Sequence, residues 1–185
     1  MEELALHLLD LMENSLAAGA CRLELKIRED IAANLMAIEL VDDGRGMEEG
    51  EIKAALDPFF TTRTSRRVGL GLSLFRATAR QCGGDLTLSS RPGAGTRVAV
   101  IMELNHVDRP PLGDMGATIA AALARELPLE LYYRHERDGK VFEFSSTRLK
   151  EILGDIPFNL APVLTWVRDF VNGGLQKLYG GEDRL

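Results

Sequence analysis

Apolar residues near the start of the chain recur at helical spacing and then alternate with charged ones. Leu4, Leu8 and Leu11 are separated by three and four residues, which predicts a helix that Gly19 ends. From residue 22 to 28, Leu and Ile alternate with Arg, Glu and Lys, which predicts a strand. The predicted elements of the first half are helices at 3–18, 48–56 and 70–82, and strands at 22–28, 35–42, 85–90 and 96–103. This order predicts an α/β sandwich, in which helices cover one face of a mixed sheet.

A break in the pattern follows at residues 105–113, where Asp108-Arg109-Pro110-Pro111 interrupts any helix or strand. Beyond it we predict helices at 117–126, 147–153 and 162–179, and a hairpin of strands 129–135 and 140–145 that turns at Asp138-Gly139. We therefore divide the chain into a first domain, residues 1–104, and a smaller C-terminal α/β region, residues 105–185. The apolar stripe of the last helix is expected to pack in the core.

Composition excludes several classes of function. The chain has 185 residues, of which 45% are hydrophobic, and a net charge of -6, which argues against general nucleic-acid binding. No apolar run is long enough to cross a bilayer, and the acidic start does not resemble a signal peptide. Cys21 and Cys82 have no paired metal-ligand spacing, so we expect reduced thiols in a cytoplasmic protein.

Asp10 and Asn14 lie one turn apart on the first predicted helix, so their side chains share a face. A carboxylate and an amide oxygen suit a magnesium ion that keeps several waters and bridges phosphates. The alternative interpretation is a solvated helix face.

The segment Asp42-Asp43-Gly44-Arg45-Gly46 follows a strand that we predict to be buried. Its two glycines allow a sharp turn and close approach to a flat ligand, while a carboxylate there could accept a hydrogen bond from the adenine amine. An ordinary acidic turn is the alternative.

The segment Gly69-Leu70-Gly71-Leu72 opens a helix, where free N–H groups and the helix dipole favour a phosphate. It lacks the Gly-Lys-Ser/Thr of a P-loop. The stretch 61–67 before it carries Arg63, Arg66 and Arg67, and could close over phosphates as a lid or be a solvated loop.

Together these segments resemble the ordered N, G1, F and G2 boxes of the GHKL superfamily, which includes gyrase, histidine kinases and chaperone ATPases. The similar stretches are Asp10–Ser15, Asp42–Gly46, Asp57–Arg63 and Gly69–Leu72, with Gly93-Ala94-Gly95-Thr96 matching a final glycine-threonine turn. The resemblance covers about residues 1–104. It implies a Bergerat fold that binds ATP and Mg²⁺ between the helices and the sheet.

The resemblance also assigns roles to individual residues. It implies that Asn14 ligates magnesium, that Asp42 binds the adenine amine, and that Phe59 and Phe60 anchor the lid. The further nucleotide contacts that it implies are Gly44, Gly46, Met47, Phe60, Thr61, Thr62, Arg63, Gly69, Leu70, Gly71, Leu72 and Thr96.

Two departures bear on the chemistry. Asp10 stands where hydrolysing members carry a glutamate that activates water, so the catalytic carboxylate is one methylene shorter. A histidine kinase also needs an acceptor histidine on a helical hairpin, normally before this domain. His7, His106 and His135 are each expected to have structural roles, so we expect a stand-alone form of the domain.

Three functions fit this pattern. The chain could be an ATP-dependent switch that regulates a protein partner, or a kinase that phosphorylates such a partner. The third is a weak ATPase coupled to assembly or maturation of another protein. We expect ATP and a protein as partners, with no nucleic acid and no membrane, and leave a homodimer open.

Overall fold

The computed structural model describes residues 3–57, 70–125 and 129–180. The helices are α1 (Leu4–Ala17), α2 (Glu49–Leu56), α3 (Leu70–Gln81), α4 (Met115–Leu123), α5 (Ser146–Leu153) and α6 (Ala161–Leu178). The strands are β1 (Arg22–Asp30), β2 (Leu35–Asp42), β3 (Asp85–Ser90), β4 (Thr96–Glu103), β5 (Glu130–Arg137) and β6 (Lys140–Ser145). In the described part of the chain, no helix has the length and apolar character that crossing a bilayer requires.

All the strands join one mixed sheet in the order β3-β4-β2-β1-β5-β6. Its neighbours run antiparallel except for β1 and β5, which pair in parallel, with Leu25 opposite Tyr133. The boundary that we expected after residue 104 falls just beyond β4, and strands from both sides of it share this sheet.

Strict alternation along the strands places one face of the sheet in the core. In β1 the side chains of Leu23, Leu25 and Ile27 are buried, and in β2 those of Ile38 and Leu40. The opposite face carries ion pairs between exposed side chains, such as Glu143 with Arg134 at 2.8 Å. The fold class expected from the sequence, a mixed sheet covered on one face by helices, is confirmed.

The C-terminal region packs directly on α1. The backbone N–H groups of Leu4 and Ala5, which begin α1, donate to the carbonyls of Pro111 and Leu112 at 3.0 and 2.8 Å. The hydroxyl of Thr118 in α4 donates to the carbonyl of Ala5 at 3.2 Å. Helix α4 in turn packs against α6, so α1, α4 and α6 form a continuous layer of helices.

The predicted elements are all present, with shifted ends. Helix α4 begins at Met115, two residues earlier than expected, because the side chain of Asp114 accepts a hydrogen bond from the Ala117 N–H at 2.8 Å and caps the helix. Strand β1 continues to Asp30, which places Glu29 on the buried face.

Candidate functional site

Asp42 ends β2 on the buried face of the sheet, with 8% of its surface exposed. Its Oδ2 atom accepts a hydrogen bond from the Ser15 hydroxyl at 2.6 Å. Its Oδ1 atom accepts hydrogen bonds from the N–H groups of Gly44 at 2.9 Å and Thr96 at 3.2 Å. The carboxylate is therefore fixed by α1, by the loop after β2 and by the start of β4.

This arrangement fits an exocyclic amine as a further donor. An ionised carboxylate offers about four lone-pair positions, and the three hydrogen bonds occupy three of them. A methyl group built on Gly44 would lie 3.0 Å from Oδ1 of Asp42, so a larger residue there would press on the carboxylate. The donor set and the small residue beside it suit the adenine role that the sequence assigned to Asp42.

Two glycines bring neighbouring loops against the end of β2. Gly46 has a φ of 70°, and a methyl group built on it would lie 1.9 Å from the carbonyl oxygen of Arg91. Gly95 has a φ of 77°, and its added methyl group would lie 1.9 Å from the carbonyl oxygen of Asp42. Neither position has room for a side chain, so both glycines are needed for the close approach.

A pair of hydroxyl groups supports this junction. The Ser90 hydroxyl accepts a hydrogen bond from the Met47 N–H at 2.9 Å, donates to the Gly95 carbonyl at 2.8 Å and lies 3.0 Å from the Thr96 hydroxyl. Met47 and Thr96 were both expected at the site, and Ser90 joins the loops that carry them. Ser90 ends β3 as an ordinary polar strand residue, and nothing in its sequence context marked it.

The acidic face of α1 meets the start of α3. Asp10 is exposed and Asn14 is half-buried, one turn apart on the helix. A methyl group built on Gly71 would lie 3.2 Å from Cβ of Asp10 and 3.4 Å from its Oδ2 atom. The absence of a side chain at Gly71 thus lets the first turn of α3 approach the carboxylate of Asp10.

Several residues of the expected site lie outside the described part of the chain. They are Phe59, Phe60, Thr61, Thr62, Arg63 and Gly69, together with the side chain of Leu70. Leu72 is described, and its side chain is buried in the core, so only its backbone could serve a ligand.

Ser15 and Asp43 have roles that the sequence did not reveal. Ser15 is buried with the apolar residues of α1, and its hydroxyl joins that helix to Asp42. The Oδ1 atom of Asp43 accepts hydrogen bonds from the N–H groups of Cys21 and Arg22, both at 2.8 Å. Burial opposes ionisation of Asp43, but these two hydrogen bonds prevail and lower its pKa. Asp43 therefore anchors the backbone at the start of β1.

The three histidines occupy structural positions. His7 is buried, and its ring stacks on Phe75 of α3 with centroids 4.9 Å apart. The His106 Nδ1 atom accepts a hydrogen bond from the Asp108 N–H at 3.1 Å in the connection after β4. His135 is fully buried, with hydrogen bonds to the Tyr133 hydroxyl at 2.8 Å and to Glu29 at 3.0 Å.

A protein-family model matches the first part of the chain. The model for histidine kinase-, DNA gyrase B-, and HSP90-like ATPases matches residues 2–106. A putative sensor protein of Shewanella frigidimarina is 31% identical over 55% of this chain and 16% of its own length. The signal transduction histidine-protein kinase AtoS of Escherichia coli is 32% identical over 53% of this chain and 16% of its own length. The match thus spans about a sixth of the length of these two relatives.

A shorter relative and a solved structure extend the comparison. The anti-sigma F factor of Thermoanaerobacter sp. (strain X514) is 35% identical over 40% of this chain and 48% of its own length. The crystal structure of the N-terminal domain of a DNA repair protein matches 78% of this chain and 53% of that chain, with a TM-score of 0.54 and 15% identity. This likeness concerns the fold alone. It covers more of the chain than residues 2–106 supply, so it includes part of the C-terminal region.

Proposed function

Because this chain belongs through residues 2–106 to the histidine kinase-, DNA gyrase B- and HSP90-like ATPases, which bind ATP, we propose that it uses Mg-ATP to regulate or phosphorylate a protein partner. The observation that carries the proposal is the position of α1. This helix carries Asp10 and Asn14, which would face the nucleotide. Its Ser15 holds Asp42, and it packs on α4 of the C-terminal region.

In this proposal the adenine amine donates a hydrogen bond to the lone-pair position on the Asp42 carboxylate that the protein leaves unoccupied. Gly44 keeps a side chain off the Asp42 carboxylate, Gly46 lets the loop after β2 lie against the backbone of Arg91, and Thr96 donates a hydrogen bond from its N–H group to Asp42. A guanine base would direct its carbonyl oxygen at the same carboxylate. Two acceptors facing each other at a buried position are unfavourable, so the site would discriminate against GTP.

The phosphates would lie between Asn14 and the first turn of α3. Asn14 would ligate a magnesium ion, and that ion would neutralise negative charge on the phosphates. The N–H groups at the start of α3 would bind the phosphates, and no acidic residue occupies the first turn of that helix. The Asp10 carboxylate, beside Gly71, would orient or deprotonate the group that attacks the γ-phosphate.

A protein partner is supported by the relatives and by the packing. Anti-sigma F factors and sensor kinases, among the relatives, are named for regulatory roles. Since α1 contacts α4 and α4 contacts α6, a shift of α1 on nucleotide binding would be felt by the C-terminal helices. The proposal is therefore that the C-terminal region presents the nucleotide state to the partner.

The fate of the γ-phosphate distinguishes the candidate activities. The chain would be incubated with γ-labelled ATP, alone and with candidate partner proteins. Label on a partner identifies a kinase, and retained binding without transfer or hydrolysis identifies a switch. Release of free phosphate alone identifies a weak ATPase and would contradict the proposal of phosphoryl transfer. A chain that binds no ATP in calorimetry would overturn the whole assignment.

Two substitutions on α1 are expected to separate binding from turnover. Asn14→Ala should weaken magnesium-dependent ATP binding by about tenfold or more, equivalent to about 1.4 kcal/mol, because the metal loses its protein ligand. Asp10→Ala should keep ATP binding and lower any turnover by about 10²–10⁴-fold, as expected for a general base. Calorimetry with magnesium and release of labelled phosphate measure the two effects.

Glu13→Ala is the matched control, since Glu13 is exposed on α1 between the two positions. Glu13→Ala should change neither the affinity for ATP nor the turnover. If turnover survives in Asp10→Ala, another group is the base. If ATP affinity is unchanged in Asn14→Ala, Asn14 does not ligate the metal.

A further inference from the structure

Three polar side chains form a row across one end of the sheet. Ser90 of β3 pairs in register with Thr96 of β4, and Thr96 pairs in register with Asp42 of β2. Alternate residues of a strand share a face, and Val98, two residues after Thr96, belongs to the buried core. The row therefore lies on the face of the sheet that the helices cover, which is the face of the proposed nucleotide site.

The hydroxyl of Ser90 has all of its hydrogen-bonding capacity in use. A serine hydroxyl has one proton to donate and two lone pairs that accept. The Gly95 carbonyl oxygen, 2.8 Å away, can only accept, so the Ser90 proton lies between these two atoms. The Met47 N–H occupies one lone pair at 2.9 Å. The Thr96 hydroxyl, 3.0 Å away, must therefore donate its own proton to the second lone pair.

Thr96 is thereby left as a hydrogen-bond acceptor. Its proton is directed at Ser90, and within the part of the chain that the structure describes its hydroxyl oxygen has no further hydrogen-bond partner. The donors around Asp42 are committed as well. The Ser15 hydroxyl donates to the Asp42 carboxylate, and so do the N–H groups of Gly44 and Thr96. Asp42 and Thr96 together therefore offer lone pairs to a ligand, and the protons of these groups are all in use.

We propose that Ser90 is a specificity-determining residue of the nucleotide site and acts on the base by holding Thr96 as an acceptor. This inference rests on the proposed function, because it concerns the base that the ATP site selects. The 6-amino group of adenine has two protons to donate, which suits two neighbouring acceptors. A 6-oxo base needs a donor at that position, but the Thr96 proton is held by Ser90. Asp42 thus attracts the amine, while Ser90 withholds a proton that a 6-oxo group could otherwise accept.

The test compares the affinities of the 185-residue chain for Mg-ATP and Mg-ITP by calorimetry. The base of inosine triphosphate carries a 6-oxo group in place of the amine. We expect the wild-type chain to bind ATP at least about a hundredfold more tightly than ITP, because a 6-oxo base leaves buried acceptors facing one another. In Ser90→Ala the Thr96 hydroxyl can rotate and donate to the 6-oxo group, so the ratio of the two affinities should fall at least about tenfold.

The ratio separates this role from a structural one. Ser90→Ala also removes the partner of the Met47 N–H and of the Gly95 carbonyl, which should weaken the binding of both nucleotides. A purely structural residue would weaken ATP and ITP equally and leave their ratio unchanged. Ser90→Thr keeps a hydroxyl group at this position, so it should keep the ratio within about twofold of the wild-type value.

Two further variants serve as controls. Ser89→Ala removes the neighbouring hydroxyl of β3, which is exposed and lies on the opposite face of the sheet, so both affinities should be unchanged. Thr96→Val removes the hydroxyl through which Ser90 is proposed to act. In a Thr96→Val background, Ser90→Ala should no longer change the ratio of the two affinities. Circular dichroism checks that each variant is folded.

An unchanged ratio in Ser90→Ala would overturn the inference and leave ATP binding, and with it the proposed function, in place. An equal fall of the ratio with and without the Thr96 hydroxyl would also overturn it, because Ser90 would then act through another group. A wild-type chain that binds ITP as tightly as ATP overturns it without any variant. A wild-type chain that binds neither nucleotide contradicts the proposed function itself.

Discussion

Asp42 concentrates the specificity of the proposed nucleotide site in a single carboxylate. It accepts three hydrogen bonds from separate segments, and a fourth position remains for the ligand. Asp42→Asn replaces one acceptor oxygen with an NH₂ group, which donates where the adenine amine must also donate. We therefore expect ATP affinity to fall by at least about tenfold, and GTP to be weakened much less.

Asp43→Asn provides the comparison for this prediction. Asp43 directs its carboxylate at the backbone of Cys21 and Arg22, so its substitution should lower stability without changing the preference for adenine. Titration of both variants with ATP and GTP measures the preference. Equal weakening of the two nucleotides in Asp42→Asn would show that this residue does not select the base.

The prediction of Asp42 and the failure to foresee Ser15 and Asp43 have a common cause. The motif from 42 to 46 combines a strand end, a carboxylate and two glycines, and each has a local signature in the sequence. Ser15 and Asp43 act through contacts with segments 27 and 21 positions away. Such contacts depend on how α1 and β1 are placed against β2, and the local pattern does not contain that placement.

Elements were predicted better than their pairing. The β5–β6 hairpin was expected from Asp138-Gly139, and both residues have positive φ values, 46° and 78°. The parallel pairing of β5 with β1 was not foreseen. Buried and exposed side chains alternate along β5 in the same way whichever strand lies beside it. The last helix was expected to pack through its apolar stripe. Val167 and Val171 of that stripe are buried, but Phe170 is 43% exposed.

The buried carboxylate of Glu29 joins the end of α6 to the paired strands β1 and β5. Glu29 of β1 is 3% exposed, and its carboxylate accepts hydrogen bonds from the Tyr179 hydroxyl and from Arg137, and also contacts His135. The Arg137 guanidinium lies 4.6 Å from the centre of the Tyr179 ring. Burial and the neighbouring Glu29 carboxylate raise the pKa of Tyr179, so its hydroxyl stays protonated as the donor. The end of α6 is thereby fixed to β1 and β5.

Tyr179→Phe removes only the hydroxyl of this contact. We expect a loss of about 1.5–3 kcal/mol in the free energy of unfolding, because a hydrogen bond to a buried charged group is lost. Tyr132→Phe is the matched control, since its hydroxyl donates at 2.7 Å to Glu143 at an exposed position, and it should cost about 0.5 kcal/mol or less. Urea unfolding measures both. Equal costs would mean that Glu29 does not depend on Tyr179.

At the scale of the whole molecule, the two ends of β1 serve different parts of the fold. Asp43 accepts a hydrogen bond from Arg22 at the start of β1, beside the proposed nucleotide site, while Glu29 near the end of β1 accepts one from Tyr179 after the last helix. The family resemblance covered the segment that contains Asp43, because its motifs lie within residues 2–106, but it did not predict the contact of Asp43 with β1. It carried no information on the second end, where the partners of Glu29 come from residues 135–179.

The charges of the folded chain predict how its stability responds to acid. Burial opposes ionisation of Glu29, but hydrogen bonds from His135 and Tyr179 and the charge of Arg137 prevail and hold its pKa below the ordinary 4.5. Hydrogen bonds from Arg80 and Arg76 hold the pKa of Asp85 well below the ordinary 3.8. A carboxyl group with a lowered pKa in the folded state stabilises that state above its unfolded pKa and loses this contribution as the pH falls.

We therefore expect Glu29 and Asp85 to make a nearly constant contribution to the free energy of unfolding between pH 7 and 5. It should then fall steeply as the pH drops below about 4.5, where the unfolded chain takes up protons first. Asp85→Asn should reduce this slope only slightly, because its ion pairs with Arg76 and Arg80 are substantially exposed. Glu29→Gln should reduce it more, since Glu29 is buried, although it lowers stability at pH 7 by about 3–5 kcal/mol. Urea unfolding at a series of pH values measures the slopes. If stability were constant or rose between pH 4.5 and 3, the buried carboxylate of Glu29 would not be contributing as a charged group.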